Sequence, residues 1–179
     1  AQANFNNHLS ENHSIQLNNL TFTYPGANNE PVLKCLTAIF PNNKITAIVG
    51  TSGSGKTTIL KLIQKFYENY QGDMKIGETN LKNISPYFWR SITGSVMQDG
   101  FIFSESIEKN IAVSDEYPNY EKLVNACRVA NILNFVESLP LGFNTKIGAE
   151  GNGISVGQKQ RLLIARAVYK NPKFLFFDE

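Results

Sequence analysis

Histidine is nearly absent from this chain of 179 residues: His8 and His13 are the two it has, both in a polar first stretch. The rest of the sequence therefore holds no histidine for a Ser-His-Asp triad or a histidine-ligated metal. Hydrolytic chemistry there has to rest on carboxylates or bound cations. Cysteine is equally scarce. Cys35 and Cys127 stand far apart, without a Cys-x-x-Cys spacing and among apolar neighbours, which predicts two reduced thiols in the core of a cytosolic protein. Charge of one sign is also lacking: the net charge is +2, so the main sequence argument for a general nucleic-acid binder is missing. No run of about 18 apolar residues occurs, so no segment reads as a transmembrane helix. The beginning lacks the basic start and apolar stretch of a signal peptide. These absences predict a cytosolic location, with any membrane link made through a partner or through a segment outside these residues. What is present, 42% hydrophobic and 11% aromatic residues, describes one globular domain with a real core.

Residues 1–13 are polar and Asn-rich and read as a linker or a vector-derived remnant. From Ser14 apolar residues alternate at Ile15 and Leu17, then at Leu20, Phe22 and Tyr24, with Asn18-Asn19 shifting the phase, as in two short strands ended by Pro25-Gly26. Leu36 to Phe40 and Lys44 to Val49 read as a further strand pair around the turn residues Pro41-Asn42-Asn43, the second strand buried on both faces. From Thr57 the period becomes helical, with Ile59, Ile63 and Phe66 on one stripe. Asp73 to Leu81, around Gly77, predicts a hairpin, and Ile92 to Gln98 a strand. Pro118 to Leu139 predicts a helix, and another begins after Ser155 and runs to Tyr169. Phe174 to Phe177 form a buried strand before Asp178-Glu179.

Two motifs carry chemistry by their own spacing. Gly50-Thr51-Ser52-Gly53-Ser54-Gly55-Lys56-Thr57, followed by Thr58, fits the phosphate-binding loop G-x-x-x-x-G-K-[ST], and it stands between the strand and the helix that the motif requires. Its glycines let successive backbone N–H groups turn inward around phosphates, and the helix N-terminus adds partial positive charge. Lys56 reaches the outer phosphates, and Thr57 offers a hydroxyl to Mg²⁺. The second motif is the acidic strand end. Adjacent strand residues point opposite ways, so Asp178 and Glu179 take separate jobs: Asp178 holds Mg²⁺ through its water shell and Glu179 polarises the water that attacks the γ-phosphate.

With these residues in place the sequence resembles the nucleotide-binding domain of ABC transporters, over Ile15 to Glu179. Ile154-Ser155-Val156-Gly157-Gln158 is similar to the family signature Leu-Ser-Gly-Gly-Gln, with Val156 in place of a glycine. In the family this segment closes on the ATP of the opposite subunit, which assigns Ser155, Gly157 and Gln158 to the nucleotide. Ser155 is also a helix N-cap candidate by residue type. Gln98 matches the family's glutamine loop, implying contact with Mg²⁺ and the attacking water. Tyr24 matches the aromatic that stacks on adenine. Phe101 to Ile111 resembles the exporter branch, in which these residues line the groove for a coupling helix. Thr145 to Gly151 resembles the exporter segment before the signature, with the acid at Glu150 where the family has it at the position of Ala149.

The resemblance implies an α/β fold: a P-loop NTPase (RecA-like) core with an antiparallel β subdomain and an α-helical signature subdomain at about 100–165, all within residues 14–179. It implies ATP and Mg²⁺ as cofactors, with Lys56, Gln98 and Glu179 catalytic. The implied partners are a second nucleotide-binding domain, as a homodimer, and a transmembrane domain. The implied place is the cytoplasmic face of the cell membrane, with a peptide or lipid as cargo and no nucleic acid bound. The alternatives are a soluble ABC ATPase acting on DNA or ribosomes, which would be expected to carry a coiled coil or basic patches, and a nucleotide-binding module with weak turnover. The family's Ser-Ala-Leu-Asp segment and switch histidine have no counterpart up to Glu179. The expectation is that the natural chain continues, or that unpaired sheet edges are met by an arrangement such as a swap.

Overall fold

The computed structural model describes residues 6–26, 29–148 and 153–178. The chain divides into two compact units, residues 1–90 and 91–179.

The first unit is built on a four-stranded antiparallel sheet in the order β2-β1-β3-β4. β1 (Ile15–Phe22) is one strand rather than two, and the phase shift at Asn18-Asn19 is a bulge, with Asn19 at φ 48°. The bulge needs a glycine beside it. Gly72 has φ 87°, and a Cβ there would stand 2.5 Å from the carbonyl oxygens of Asn18 and Asn19. β2 (Leu33–Phe40) flanks β1 on one side. On the other lie β3 (Gln71–Ile76) and β4 (Thr79–Asn80), the hairpin predicted around Gly77. Leu17, Leu20, Phe22, Met74 and Ile76 are fully buried, as are Leu62 and Ile63 of the helix that follows the Gly-rich loop. Leu9, in the stretch expected to lie apart from the core, is buried, and Asn6 bridges to Ile84.

α1 (Lys56–Ile63) follows the Gly-rich loop and ends three residues before the expected stripe does, since Phe66 lies beyond its end and is exposed. Its C-terminal end is held from two directions. Trp89, on α2 (Pro86–Ile92), is completely buried and donates its indole N–H to Ile63 O at 2.8 Å. Lys65 donates its ammonium to the carbonyls of Leu81 and Ile84 and pairs with Glu68 at 3.2 Å.

Two expectations for this unit are corrected. Lys44 to Val49 forms no strand, and Ile45 and Val49 are exposed. An apolar run becomes a strand only when neighbours take up its N–H and C=O groups, and none does so among the described residues. Cys35 is exposed rather than in the core. It sits at the β2 register shift with φ 49°, and its N–H bonds Thr21 Oγ1 at 2.9 Å, so the irregularity turns its side chain outward.

The second unit packs helices on a two-stranded parallel sheet, β5 (Thr93–Val96) beside β6 (Phe174–Phe177). β6 alternates: Phe176 is buried while Leu175 and Phe177 are exposed, so the strand expected to be buried is covered on one face. α3 (Ile107–Ile111), α4 (Tyr120–Val129) and α6 (Val156–Tyr169) share a core of Ile107, Ile111, Leu123, Cys127, Leu162 and Ala165. The helix expected across Pro118 to Leu139 is two, α4 and α5 (Leu133–Ser138), because Asn131 adopts the left-handed conformation at φ 54°.

Burial pushes the Cys127 thiol up from 9.0 to about 12. A raised pKa favours the protonated folded state, so the stability it supplies is complete below about pH 9 and is lost as pH rises through about 12. A maleimide or disulfide reagent at pH 8 is expected to modify one thiol of the native chain, Cys35, and to reach Cys127 only in denaturant. Peptide mapping showing Cys127 labelled at the native rate would overturn this assignment of exposure.

Candidate nucleotide site

In the first unit, the segment 44–49 hands directly to the Gly-rich loop. Ser54 N donates to Thr51 O at 3.2 Å, making a tight turn, and Gly53 and Gly55 have φ 79° and 91°, the left-handed region that favours glycine. Gly55 has a second reason to lack a side chain, because a Cβ would stand 2.8 Å from the Leu33 side chain. Gly55 is the N-cap of α1. No side chain caps that end and its first turn holds no acidic residue, so the positive end of the helix is suited to an anion. Lys56 folds back over the loop, donating to Gly50 O at 2.9 Å and Thr51 O at 2.8 Å. The loop thus offers N–H donors with a cation across its mouth, and this donor set fits a polyphosphate. Thr57 takes the next position on α1, where its hydroxyl is suited to Mg²⁺, which takes one or two protein oxygens and otherwise keeps waters and phosphates.

Thr58 is buried, and its hydroxyl lies 3.0 Å from Tyr24 Oη. This bond joins the tyrosine expected to stack on a base to the helix that begins the phosphate loop. The backbone of Tyr24 is held as well, since Asn29 Nδ2 donates to Tyr24 O at 3.1 Å and Pro25 O at 3.3 Å.

In the second unit, β5 and β6 run parallel, and Asp178 N donates to Val96 O at 2.9 Å, continuing the ladder past β6. Gln98, exposed in the turn after β5, and Asp178 therefore stand at the carboxyl ends of neighbouring parallel strands, where open α/β sheets place ligands. Glu179 lies outside the described residues, as do Ala149 and Glu150. Among the described residues no group of three or more His, Cys, Asp or Glu could hold a metal.

α6 begins at the signature-like segment. Ser155 caps it in a full capping box: Ser155 Oγ accepts from Gln158 N at 3.2 Å, and Gln158 Oε1 accepts from Ser155 N at 2.8 Å. Ser155 and Gln158, both expected at the nucleotide, are here each other's partners, with the Ser155 hydroxyl proton still able to donate. Val156 is 85% exposed at the first helical position, and a Cβ on Gly157 would meet nothing within 4 Å.

The family to which such a loop, acidic strand end and capped helix belong is decided by comparison. A family model described as ABC transporter matches residues 33–179. The chain belongs to the ABC transporter family. Its ABC relatives include ABC transporter B family member 21 of Arabidopsis thaliana, 38% identical over 92% of this chain and 13% of that protein. ABC transporter B family member 6 of Dictyostelium discoideum is 39% identical over 93% of this chain and 25% of that protein. A solved bacterial Atm1-family ABC exporter with ATP bound superposes with a TM-score of 0.89 at 32% identity, covering 99% of this chain and 30% of that one. The α/β P-loop NTPase fold expected from the sequence is therefore the fold of this chain. The chain spans between an eighth and a third of the length of these relatives.

Sequence reading passed over the residues that hold the second unit's loop in shape. Asn110, on α3, is 1% exposed. Its Oδ1 accepts from Phe103 N at 2.8 Å, and its Nδ2 faces the carbonyls of Phe103, Glu105 and Ser106 at 3.0, 3.3 and 3.1 Å. Arg166, on α6, completes the cluster, with Nε donating to Asn110 O at 2.6 Å and Nη1 to Phe101 O at 2.8 Å. The one sequence signal was an asparagine inside the apolar stripe Ile107 to Ile111. Segment 101–103 leaves Phe101 and Phe103 exposed, beside a hollow of about 300 Å³ lined by Phe101, Ile102, Gly148, Gly153, Ile154 and Lys159.

Proposed function

We propose that this chain is the ATP-binding and ATP-hydrolysing part of an ABC exporter, working at the cytoplasmic face of a membrane. The observation that carries the reading is the Gly50–Thr58 loop, with left-handed Gly53 and Gly55, an uncapped α1 N-terminus and Lys56 across its mouth. In this reading Lys56 and the loop N–H groups neutralise the phosphates, and Tyr24 stacks on the base. Thr57, Gln98 and Asp178 serve Mg²⁺, each by the part its motif plays in the family, and Glu179 accepts the proton of the attacking water. Bound Mg²⁺ supplies charge neutralisation on the leaving phosphate oxygens. Ser155 and Gly157, at the start of α6, face the nucleotide of a second copy of the domain, so two ATP molecules hold a homodimer together. The exposed Phe101 and Phe103 and the adjoining hollow receive a transmembrane domain, and the cargo is a peptide or a lipid. The B-family and Atm1-family likenesses support export.

Steady-state phosphate release with Mg-ATP tests the reading. Glu179→Gln is expected to slow turnover at least about a hundredfold and to leave ATP binding in place, the behaviour of a lost general base. Val156→Gly, which restores backbone freedom at the signature, is expected to raise turnover. Hydrolysis that Glu179→Gln leaves unchanged would overturn the role given to Glu179.

A further inference from the structure

Tyr24 does not stand alone. Its ring centroid lies 5.0 Å from that of Phe22, at 77°, and 5.3 Å from that of Tyr67, at 87°. Tyr67 and Phe22 are 5.4 Å apart at 50°, closing a three-ring cluster. Phe22 is fully buried at the end of β1, so the cluster has a fixed base. Tyr67 is also fixed in the chain: it follows Lys65, whose left-handed turn at φ 60° and buried ammonium pin the backbone beyond α1. The far end of the Tyr24 ring is tethered by its hydroxyl to Thr58 at 3.0 Å.

We infer that Tyr67 is a positioning residue for nucleotide recognition: by holding the Tyr24 ring edge-on to its own, it keeps Tyr24 ready to stack on a purine. The inference rests on the nucleotide reading of the Gly50–Thr58 loop and deepens it. A tyrosine free to change rotamer would lose that freedom on binding a base, at a cost in affinity, whereas a ring already held loses little. Edge-to-face pairing is strong enough to hold it. The phosphates meet the loop N–H groups and Lys56, not Tyr67. Tyr67 therefore governs the part of the affinity that depends on the base and leaves the part that depends on the phosphates unchanged.

The experiment is calorimetric titration of the chain, with Mg²⁺, by ATP and by inorganic tripolyphosphate. Tyr67→Leu is expected to weaken ATP about 3- to 10-fold and to change tripolyphosphate by less than about twofold. Tyr67→Phe, which keeps the ring, restores ATP affinity to within about twofold. In a Tyr24→Leu background the Tyr67→Leu change adds no further loss, because the ring it would position is gone. Tyr67→Met, which keeps volume without a rigid edge, replaces the leucine variant if that one does not fold. Equal losses for ATP and tripolyphosphate, or an undiminished ATP affinity, would overturn the inference while leaving the nucleotide reading standing. A wild-type chain that binds neither ligand overturns both.

Discussion

Exchanging Lys56 for alanine is expected to weaken nucleotide binding at least about a hundredfold while leaving the fold in place. The ammonium group sits over the mouth of the Gly-rich loop, 2.9 Å from Gly50 O and 2.8 Å from Thr51 O. Those two carbonyls are neutral acceptors. Phosphate oxygens are anionic, and a charge-assisted bond contributes about 1.5–3 kcal/mol, so transferring the ammonium from carbonyls to phosphates gains affinity. The bonds given up are to neutral oxygens, so the net gain is the Coulomb attraction between the ammonium and the phosphate charge, about 3 kcal/mol, which is about two orders of magnitude in the dissociation constant. The fold does not depend on this side chain. Its hydrogen bonds are exposed, and the core of the first unit lies in Leu17, Leu20, Phe22, Leu62, Met74 and Trp89. Thermal unfolding without ligand should therefore shift by no more than about 0.5 kcal/mol. Titration with a fluorescent ATP analogue checks the first quantity and a melt the second. An unchanged affinity would mean that phosphates do not bind this loop.

Replacing Asn110 with leucine is expected to destabilise the second unit by about 3–5 kcal/mol. Leucine has the same branched side-chain skeleton with larger terminal groups, so no cavity is left and lost packing is not the cause. Asn110 is buried and serves Phe103 N, three carbonyls and the guanidinium of Arg166, whose Nη2 stands 3.2 Å from Asn110 Oδ1. Removing the amide leaves Phe103 N without its acceptor, at about 1–3 kcal/mol, and takes from the Arg166 guanidinium an acceptor whose bond to a charged donor is worth about 1.5–3 kcal/mol, while the three carbonyls keep their backbone donors. Arg166 itself is partly desolvated, and burial holds its pKa below the usual arginine value, so an acceptor lost there is costly. The consequence reaches both ends of the proposed chemistry. Asn110 and Arg166 tie the segment bearing Phe101 and Phe103 to α6, which Ser155 caps. Hydrogen exchange should show the amides of 103–111 losing protection, with a lower urea midpoint in circular dichroism. Full protection of those amides in the leucine variant would show that the cluster does not hold the loop.

These two variants also divide what was legible in the sequence from what was not. Lys56 could be chosen from sequence because its surroundings are local: glycines that need left-handed backbone, then a helix whose first turn no side chain caps. The same holds for Ser155 and Gln158, whose capping box spans four residues, and for the hairpin at Gly77. Asn110 and Arg166 are 56 positions apart, and nothing in either neighbourhood announces the other. Tyr24, Phe22 and Tyr67 likewise come together only when β1 and the turn after α1 pack in one unit.

The errors have the same origin. Cys35 looked buried by its apolar neighbours, but a register shift between two strands turned it outward. Lys44 to Val49 looked like a buried strand, but strand formation depends on partners elsewhere in the chain and none pairs with it among the described residues. By itself, then, the sequence determined the family and the phosphate loop, because both rest on backbone chemistry within a few residues. The tertiary structure alone decided which thiol is exposed, which asparagine and arginine hold the loop beside α6, and which rings flank Tyr24. Those depend on groups distant in the chain becoming neighbours, and on whether a buried polar atom finds a partner there.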